Sequence, residues 1–310
     1  MLARSFCVKI PGMDADQVAE YLDSWIIHLR AERKSPNTIR AYTAGVRAYL
    51  RWCAKQGQEP QFRRDQVAAF MSDLLKDGAE AATVLNRQRG VRMFSKWLAA
   101  EDHAEADDLA SMKPPKIDQK VPGELTTEQI RALLGTCSTR EFHDVRDAAV
   151  IRLMVESMVR ADELLSMRSG EVDIRGGTAL VRRGKGGRGR MVAFSPQTAR
   201  ALDRYAHARR RDPMADSPMF WLASRRRGAM SYDALYTTLR RRAERCGFAL
   251  HPHMLRSTGA IRWRQKGGSI ASLLTMAGWT SIDMAARYVK AAENRLAVEE
   301  AHRLGLSDDL

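Results

Sequence analysis

Apolar residues return at helical spacing through residues 14–100, and the pattern then stops at two consecutive prolines, Pro114-Pro115. A chain laid out this way folds as a helical bundle followed by a separate body, because paired prolines cannot continue a helix. Val18, Leu22, Trp25 and Leu29 define a first helix. Ser35-Pro36 supplies an N-cap and a proline at the first helical position of a second, which carries Ile39, Tyr42, Val46, Tyr49 and Cys53 on one face. Val67, Phe70 and Leu74 mark a third; Val84, Val91, Phe94 and Leu98 mark a fourth. These residues read as core. The polar faces carry cationic stripes, Arg40, Arg47 and Arg51 on the second helix and Arg89, Arg92 and Lys96 on the fourth. By themselves such stripes are solvated helix faces.

Residues 101–122 read as a linker, with Met112-Lys113-Pro114-Pro115-Lys116 stiff and extended and Pro122-Gly123 closing the segment. A second domain is expected over 123–310, opening with a helix capped by Thr126 or Thr127. It reads as mainly helical, with one exception. Thr178–Val181 and Met191–Phe194 flank the glycine-rich tip Gly184-Lys185-Gly186-Gly187-Arg188-Gly189, which is a β-hairpin pattern. The fold class is therefore mainly α with a small β-hairpin or sheet, in two domains, 14–100 and 123–310.

The 310 residues carry a formal net charge of +14, a balance that suits a polyanion, since neutralising phosphates releases counterions. Residues 1–100 alone hold 16 Lys+Arg against 10 Asp+Glu, so both parts are basic. Arginine clusters at 209–211, 225–227 and 240–242 read as a mixture of surface and phosphate contacts. Cys7, Cys53, Cys137 and Cys246 lack metal-ligand spacing and read as reduced thiols of a cytoplasmic protein. No apolar run reaches membrane-spanning length, and Met1–Val8 holds no sustained apolar stretch of an export signal.

Two stretches near the C-terminus carry chemistry. His251-Pro252-His253-Met254-Leu255-Arg256 puts His253 and Arg256 three apart, on one face of a helix that Pro252 starts. Gly278-Trp279 is followed nine residues later by Tyr288. A phenol attacks poorly near neutral pH, its ordinary pKa being about 10, and needs a base or cationic surroundings. Guanidinium forks match the non-bridging oxygens of a pentavalent phosphorus. An indole N–H can donate but cannot act as acid or base. Lys185 is the sole lysine between Lys120 and Lys266, and a lysine can give up a proton that an arginine keeps.

Arg160, Lys185, His253-x-x-Arg256, Trp279 and Tyr288, in this order, resemble the tyrosine recombinase (phage integrase) family, over residues 14–300. The resemblance implies that Arg160 and Arg256 clamp the scissile phosphate and that Lys185 protonates the 5′-oxygen. His253 would serve as donor or base toward Tyr288, the nucleophile. Trp279 occupies a position that is His in most members, and Glu163 matches an acid that orients the arginines. The family's N-terminal four-helix domain lays helices in the major groove, which turns Arg40, Arg47, Arg51, Arg89, Arg92 and Lys96 into expected DNA contacts. The implied partners are a duplex core site with inverted repeats and a homotetramer on paired sites; no metal or cofactor is implied. Three departures stand out: Met158 where Gly is common, Ser257 where His is frequent, and Tyr288-Val289-Lys290 without the usual Thr-His.

The expected activity is site-specific cutting and rejoining of DNA through a 3′-phosphotyrosyl ester. The alternatives are type IB topoisomerase-like strand cutting and a non-catalytic DNA-binding regulator on the same fold. With about 13 residues before the first helix, an additional arm-binding domain of the kind many phage integrases carry is not expected. Leu296, Ala297, Ala301 and Leu304 predict a short amphipathic tail helix. The resemblance implies that it docks on a neighbouring subunit, with packing on its own domain the other option.

Overall fold

The computed structural model describes residues 14–116, 123–182, 189–223 and 228–305. The chain divides into two compact units, Met1–Gln119 and Lys120–Leu310.

In the first unit, α1 (Ala15–Ala31), α2 (Pro36–Lys55), α3 (Arg64–Lys76) and α4 (Ala81–Ala100) form the four-helix bundle. Ser35 Oγ accepts from the Thr38 N–H at 3.1 Å, so α2 begins as its Ser-Pro signal predicts. Val18, Leu22, Trp25 and Leu29 of α1 bury against Val46, Phe94 and Leu98. Tyr49, Cys53, Val67, Phe70, Val84 and Val91 form a second cluster. Two glycines let α2 and α4 approach backbone to backbone. A Cβ on Gly45 would lie 2.6 Å from the Arg87 carbonyl oxygen, and one on Gly90 would lie 2.4 Å from that of Tyr42.

The stretch 101–116, expected as linker, packs on this bundle. Leu109 is fully buried in its core. The Arg92 guanidinium donates to the Leu109 and Ala110 carbonyls at 3.2 and 2.9 Å, and Arg64 Nε donates to that of Asp108 at 2.8 Å. Arg92 thus spends donors on its own chain, whereas Arg47, Arg51, Arg89 and Lys96 are exposed. Arg40 is exposed too and pairs with Asn37.

In the second unit, α5 (Thr127–Gly135) starts at a capping box in which Thr126 and Gln129 satisfy each other's backbone. α6 (Phe142–Ser157) and the short α7 (Ala161–Leu165) follow. β1 (Val172–Asp173), β2 (Thr178–Val181) and β3 (Arg190–Ala193) form an antiparallel sheet in that order, with Leu180 opposite Met191. The expected hairpin is thus β2–β3, widened by a short edge strand. α8 (Pro196–Arg209), α9 (Tyr232–Glu244), α10 (Pro252–Gln265), α11 (Ile270–Ala277) and α12 (Ile282–Leu304) complete the unit. The expected short tail helix is instead the distal half of α12, continuous with the turn that carries Tyr288.

Two buried arginines show what the clusters do. Arg209 donates to the carbonyls of Ala215, Ser217, Met219 and Phe220, fixing the loop after α8. Arg242 on α9 bridges Asp144 and Asp147 of α6 and donates to the Thr136 carbonyl, while Arg146 pairs with Asp147. Both are structural, and 225–227 lie outside the described residues. Cys53 is buried and Cys137 and Cys246 half-buried, all three unpaired. Among the described residues no helix is long and apolar enough to cross a membrane, and no His/Cys/Asp/Glu group could hold a metal ion.

Candidate active site

The site forms where α7, α10, α11 and α12 meet. α6 ends at Met158, whose backbone is left-handed (φ 54°, ψ 25°). Arg160 follows in extended conformation as the N-cap of α7, so it lies just past a helix end and not within the helix. Met158 therefore makes, as a non-glycine, the turn for which glycine is the usual residue. Its side chain is fully buried among Ala260, Ile261, Leu273 and Tyr288, and that burial offsets the strain of the turn.

Pro252 opens α10, with His253 and Arg256 one turn in. α10 can lie directly on α6 because position 259 is glycine: a Cβ there would sit 2.0 Å from the Val155 carbonyl oxygen. Arg256 is consequently almost inaccessible, at 1% exposure. It donates to the carbonyls of Met158 (2.5 Å) and Ala277 (2.7 Å) and lies over the Trp279 ring at 5.2 Å. Burial, and next the Arg160 charge, lower its pKa to about 10.

Glu163 collects the other cations. Its carboxylate accepts from the Arg160 backbone N–H (2.9 Å) and side chain (2.8 Å). It accepts again from both terminal nitrogens of Arg190, at 3.0 and 2.7 Å. Burial works to raise the Glu163 pKa, but the hydrogen bonds from Arg190 and Arg160 outweigh it and hold the carboxyl below its ordinary value. Arg160 also reaches the Gly278 carbonyl, at 3.5 Å, and its side chain stays 27% exposed. The contacts described use two of the five N–H donors of each guanidinium in Arg160 and Arg256, so donors remain for an incoming anion.

Gly278 closes α11 in the left-handed conformation (φ 63°). A Cβ there would lie 2.7 Å from the Arg190 guanidinium, so backbone and packing both call for glycine. Trp279 then turns its ring onto Tyr288, with centroids 4.8 Å apart and planes 11° from parallel. The Tyr288 hydroxyl lies 3.1 Å from His253 Nε2. Tyr288 is 4% exposed, so its ring is locked and only its oxygen addresses the site.

Arg160, Glu163, His253, Arg256, Trp279 and Tyr288 are thus brought together in one place. Lys185 lies outside the described residues, between β2 and β3. Arg190 belongs to this constellation and is not among the residues singled out from the sequence. Strand alternation held the one signal: Arg190 shares a face with buried Val192, two residues on.

The phage integrase family model matches residues 124–295, and the phage integrase N-terminal SAM-like domain matches 22–102. The chain belongs to the phage integrase family, the tyrosine recombinases. Similar curated proteins include the tyrosine recombinase XerA of Thermococcus kodakarensis, 27% identical over 281 residues (89% of this chain, 93% of that one). XerC of Pseudomonas syringae pv. syringae is 27% identical over 300 residues (94% and 99%). Among solved structures, XerH bound to palindromic difH substrate in a post-cleavage complex aligns with a TM-score of 0.73 at 18% identity, covering 93% of this chain and 89% of that one. A lambda integrase tetramer bound to a Holliday junction aligns at 0.65 and 16% identity, covering 85% and 77%. These structural likenesses show a shared fold.

Proposed function

We propose that the chain is a site-specific recombinase that cuts and rejoins duplex DNA through a 3′-phosphotyrosyl ester. The observation that carries this reading is the Tyr288 hydroxyl, 3.1 Å from His253 and stacked by its ring on Trp279, beside two arginines. Tyr288 Oη attacks the scissile phosphorus, and the bond from phosphorus to the 5′-oxygen breaks. The phenol's proton passes to His253. The departing 5′-oxygen takes a proton from Lys185. Arg160 and Arg256 neutralise the extra charge on the non-bridging oxygens, an effect strengthened by the burial of Arg256 and Tyr288. One phosphate ester replaces another, so a 5′-hydroxyl from a partner strand can reverse the step.

The partner is duplex DNA carrying inverted core sites, held by both units. Arg40, Arg47, Arg51, Arg89 and Lys96 supply exposed cations on the bundle for phosphate contact. Arg92 contributes by fixing the 109–110 backbone beside them. Strand exchange takes place in a tetramer on two paired sites.

The test is a nicked suicide substrate, on which cleavage leaves a protein–DNA adduct that survives SDS. Wild-type protein should form the adduct. Tyr288→Phe keeps the ring and its packing but lacks the attacking oxygen, so it should bind DNA and form none. An adduct with the Phe variant would show that another residue is the nucleophile.

A further inference from the structure

Three consecutive carbonyls at the C-terminal end of α11 each accept from a different arginine. Met276 accepts from Arg190 Nε (2.9 Å), Ala277 from Arg256 (2.7 Å) and Gly278 from Arg160 (3.5 Å). Helix C-termini concentrate partial negative charge, so this end gathers three guanidinium groups that would otherwise repel one another. Arg160 and Arg256 keep donors for phosphate. Arg190 has fewer to spare: each of its three nitrogens already donates to the protein, which uses three of its five N–H, and the side chain is only 8% exposed. A third phosphate-clamping arginine would not be spent this way.

Its partners say what it does instead. With two bonds from Arg190 and two from Arg160, Glu163 has all four of its acceptor sites filled. Arg190 thereby limits how far Glu163 can wrap around Arg160. It also ties β3, the strand that the chain enters five residues after Lys185, to α7 and to the turn before Trp279. We propose that Arg190 is a positioning residue of the cleavage site: it holds Glu163 and the 276–278 turn so that Arg160 faces the scissile phosphate. This rests on the recombinase reading above. Without Arg190, the carboxylate loses half its donors and turns fully to Arg160, drawing that guanidinium away from the substrate. The Met276 carbonyl is left without its donor, which loosens the turn that seats Trp279.

The full-length protein with Arg190→Ala or Arg190→Lys would be tested in single-turnover cleavage of two suicide substrates. One has an ordinary scissile phosphate; the other has a methylphosphonate there, whose missing charge removes most of the need for an aimed guanidinium. DNA binding and thermal melting would be followed in parallel. Cleavage of the phosphate substrate should fall about 100-fold, the scale of a small misplacement of a catalytic group. Binding should hold, and the defect should shrink strongly on methylphosphonate. Arg190→Lys keeps a charge but cannot span Glu163 and the Met276 carbonyl together, so it should show the same selective loss even if the Ala variant fails to fold. Equal defects on both substrates, cleavage and binding falling together, or full activity in the Lys variant would each overturn the inference. Wild-type protein that forms an adduct keeps the recombinase reading in place whichever way Arg190 behaves. Wild-type protein that forms none removes both.

Discussion

Arg256 is held in one orientation by the protein alone. Two backbone carbonyls and the Trp279 face fix its plane, so in the proposed reaction it would need little reorganisation. Its pKa, lowered to about 10 by burial and by Arg160, leaves it charged at neutral pH. The role proposed for Lys185 is separable. Lys185→Ala should slow cleavage of ordinary DNA about 100-fold, the scale of losing a general acid. A 5′-bridging phosphorothiolate should restore most of the rate, because a thiolate leaves without a proton. Detectable cleavage with no such rescue would remove Lys185 from the acid role. At this scale the sequence was unevenly legible. His253-x-x-Arg256 and Gly278-Trp279 stand out because they are short local motifs that resemble those of the family. Arg190 does not, since its partners lie 27 and 86 residues away and it is one arginine among many.

Between α6 and α7, the Met158 turn sets two effects against each other. A left-handed non-glycine residue is strained by about 1–2 kcal/mol, whereas deleting a buried Met side chain costs about 2–5 kcal/mol. Burial should win, so Met158→Gly should lower stability by about 2 kcal/mol although it relaxes the backbone. Thermal melts would read this directly, and a more stable variant would show that strain dominates. Cleavage should survive, because Arg256 needs only the 158 carbonyl. The tie between α6 and α9 has a pH signature. Burial works to raise the Asp144 pKa, but Arg242 and Thr139 outweigh it and bring it to about 2. A carboxyl lowered on folding stabilises fully above its unfolded pKa of about 4 and loses that contribution as pH falls toward 2. Asp144→Asn should therefore be clearly less stable than wild type in urea at pH 7, and the gap should narrow between pH 4 and pH 2. A gap independent of pH would mean that the ionised pair contributes nothing. Helix starts were legible here because Ser35-Pro36 and Thr126 are local signals. Leu109 was not: its burial depends on α2, α3 and α4 closing around it, and a segment next to two prolines shows no periodicity that would reveal this. Gly45 and Gly90 are likewise silent until two helices meet on them.

Across the whole molecule, the formal charge of +14 and the exposed arginines of the bundle favour a polyanion. How copies would assemble on it turns on α12. That helix runs without a break from Ile282 to Leu304, so Tyr288 and Leu304 sit on one rod about 24 Å apart at 1.5 Å per residue. The apolar spacing of the tail alone suggests a separate short helix, but nothing between it and Tyr288 interrupts α12. Val298 and Leu304 are large apolar residues at 55% and 57% exposure, and Ala297 and Ala301 are exposed too. The Leu296 side chain lies outside the described ones. Ala297, Ala301 and Leu304 share one face of the helix, and exposed apolar residues there suit a second protein surface; a neighbour gripping that face would pull directly on the helix that carries Tyr288. If that face docks on a neighbour, deleting residues 294–310 should leave single-site DNA binding and thermal stability near wild type. Pairing of two sites and recombination should fail. A truncated protein that melts markedly lower would show that the tail packs on its own subunit. One that recombines at the wild-type rate would show that α12 ends, functionally, near Tyr288.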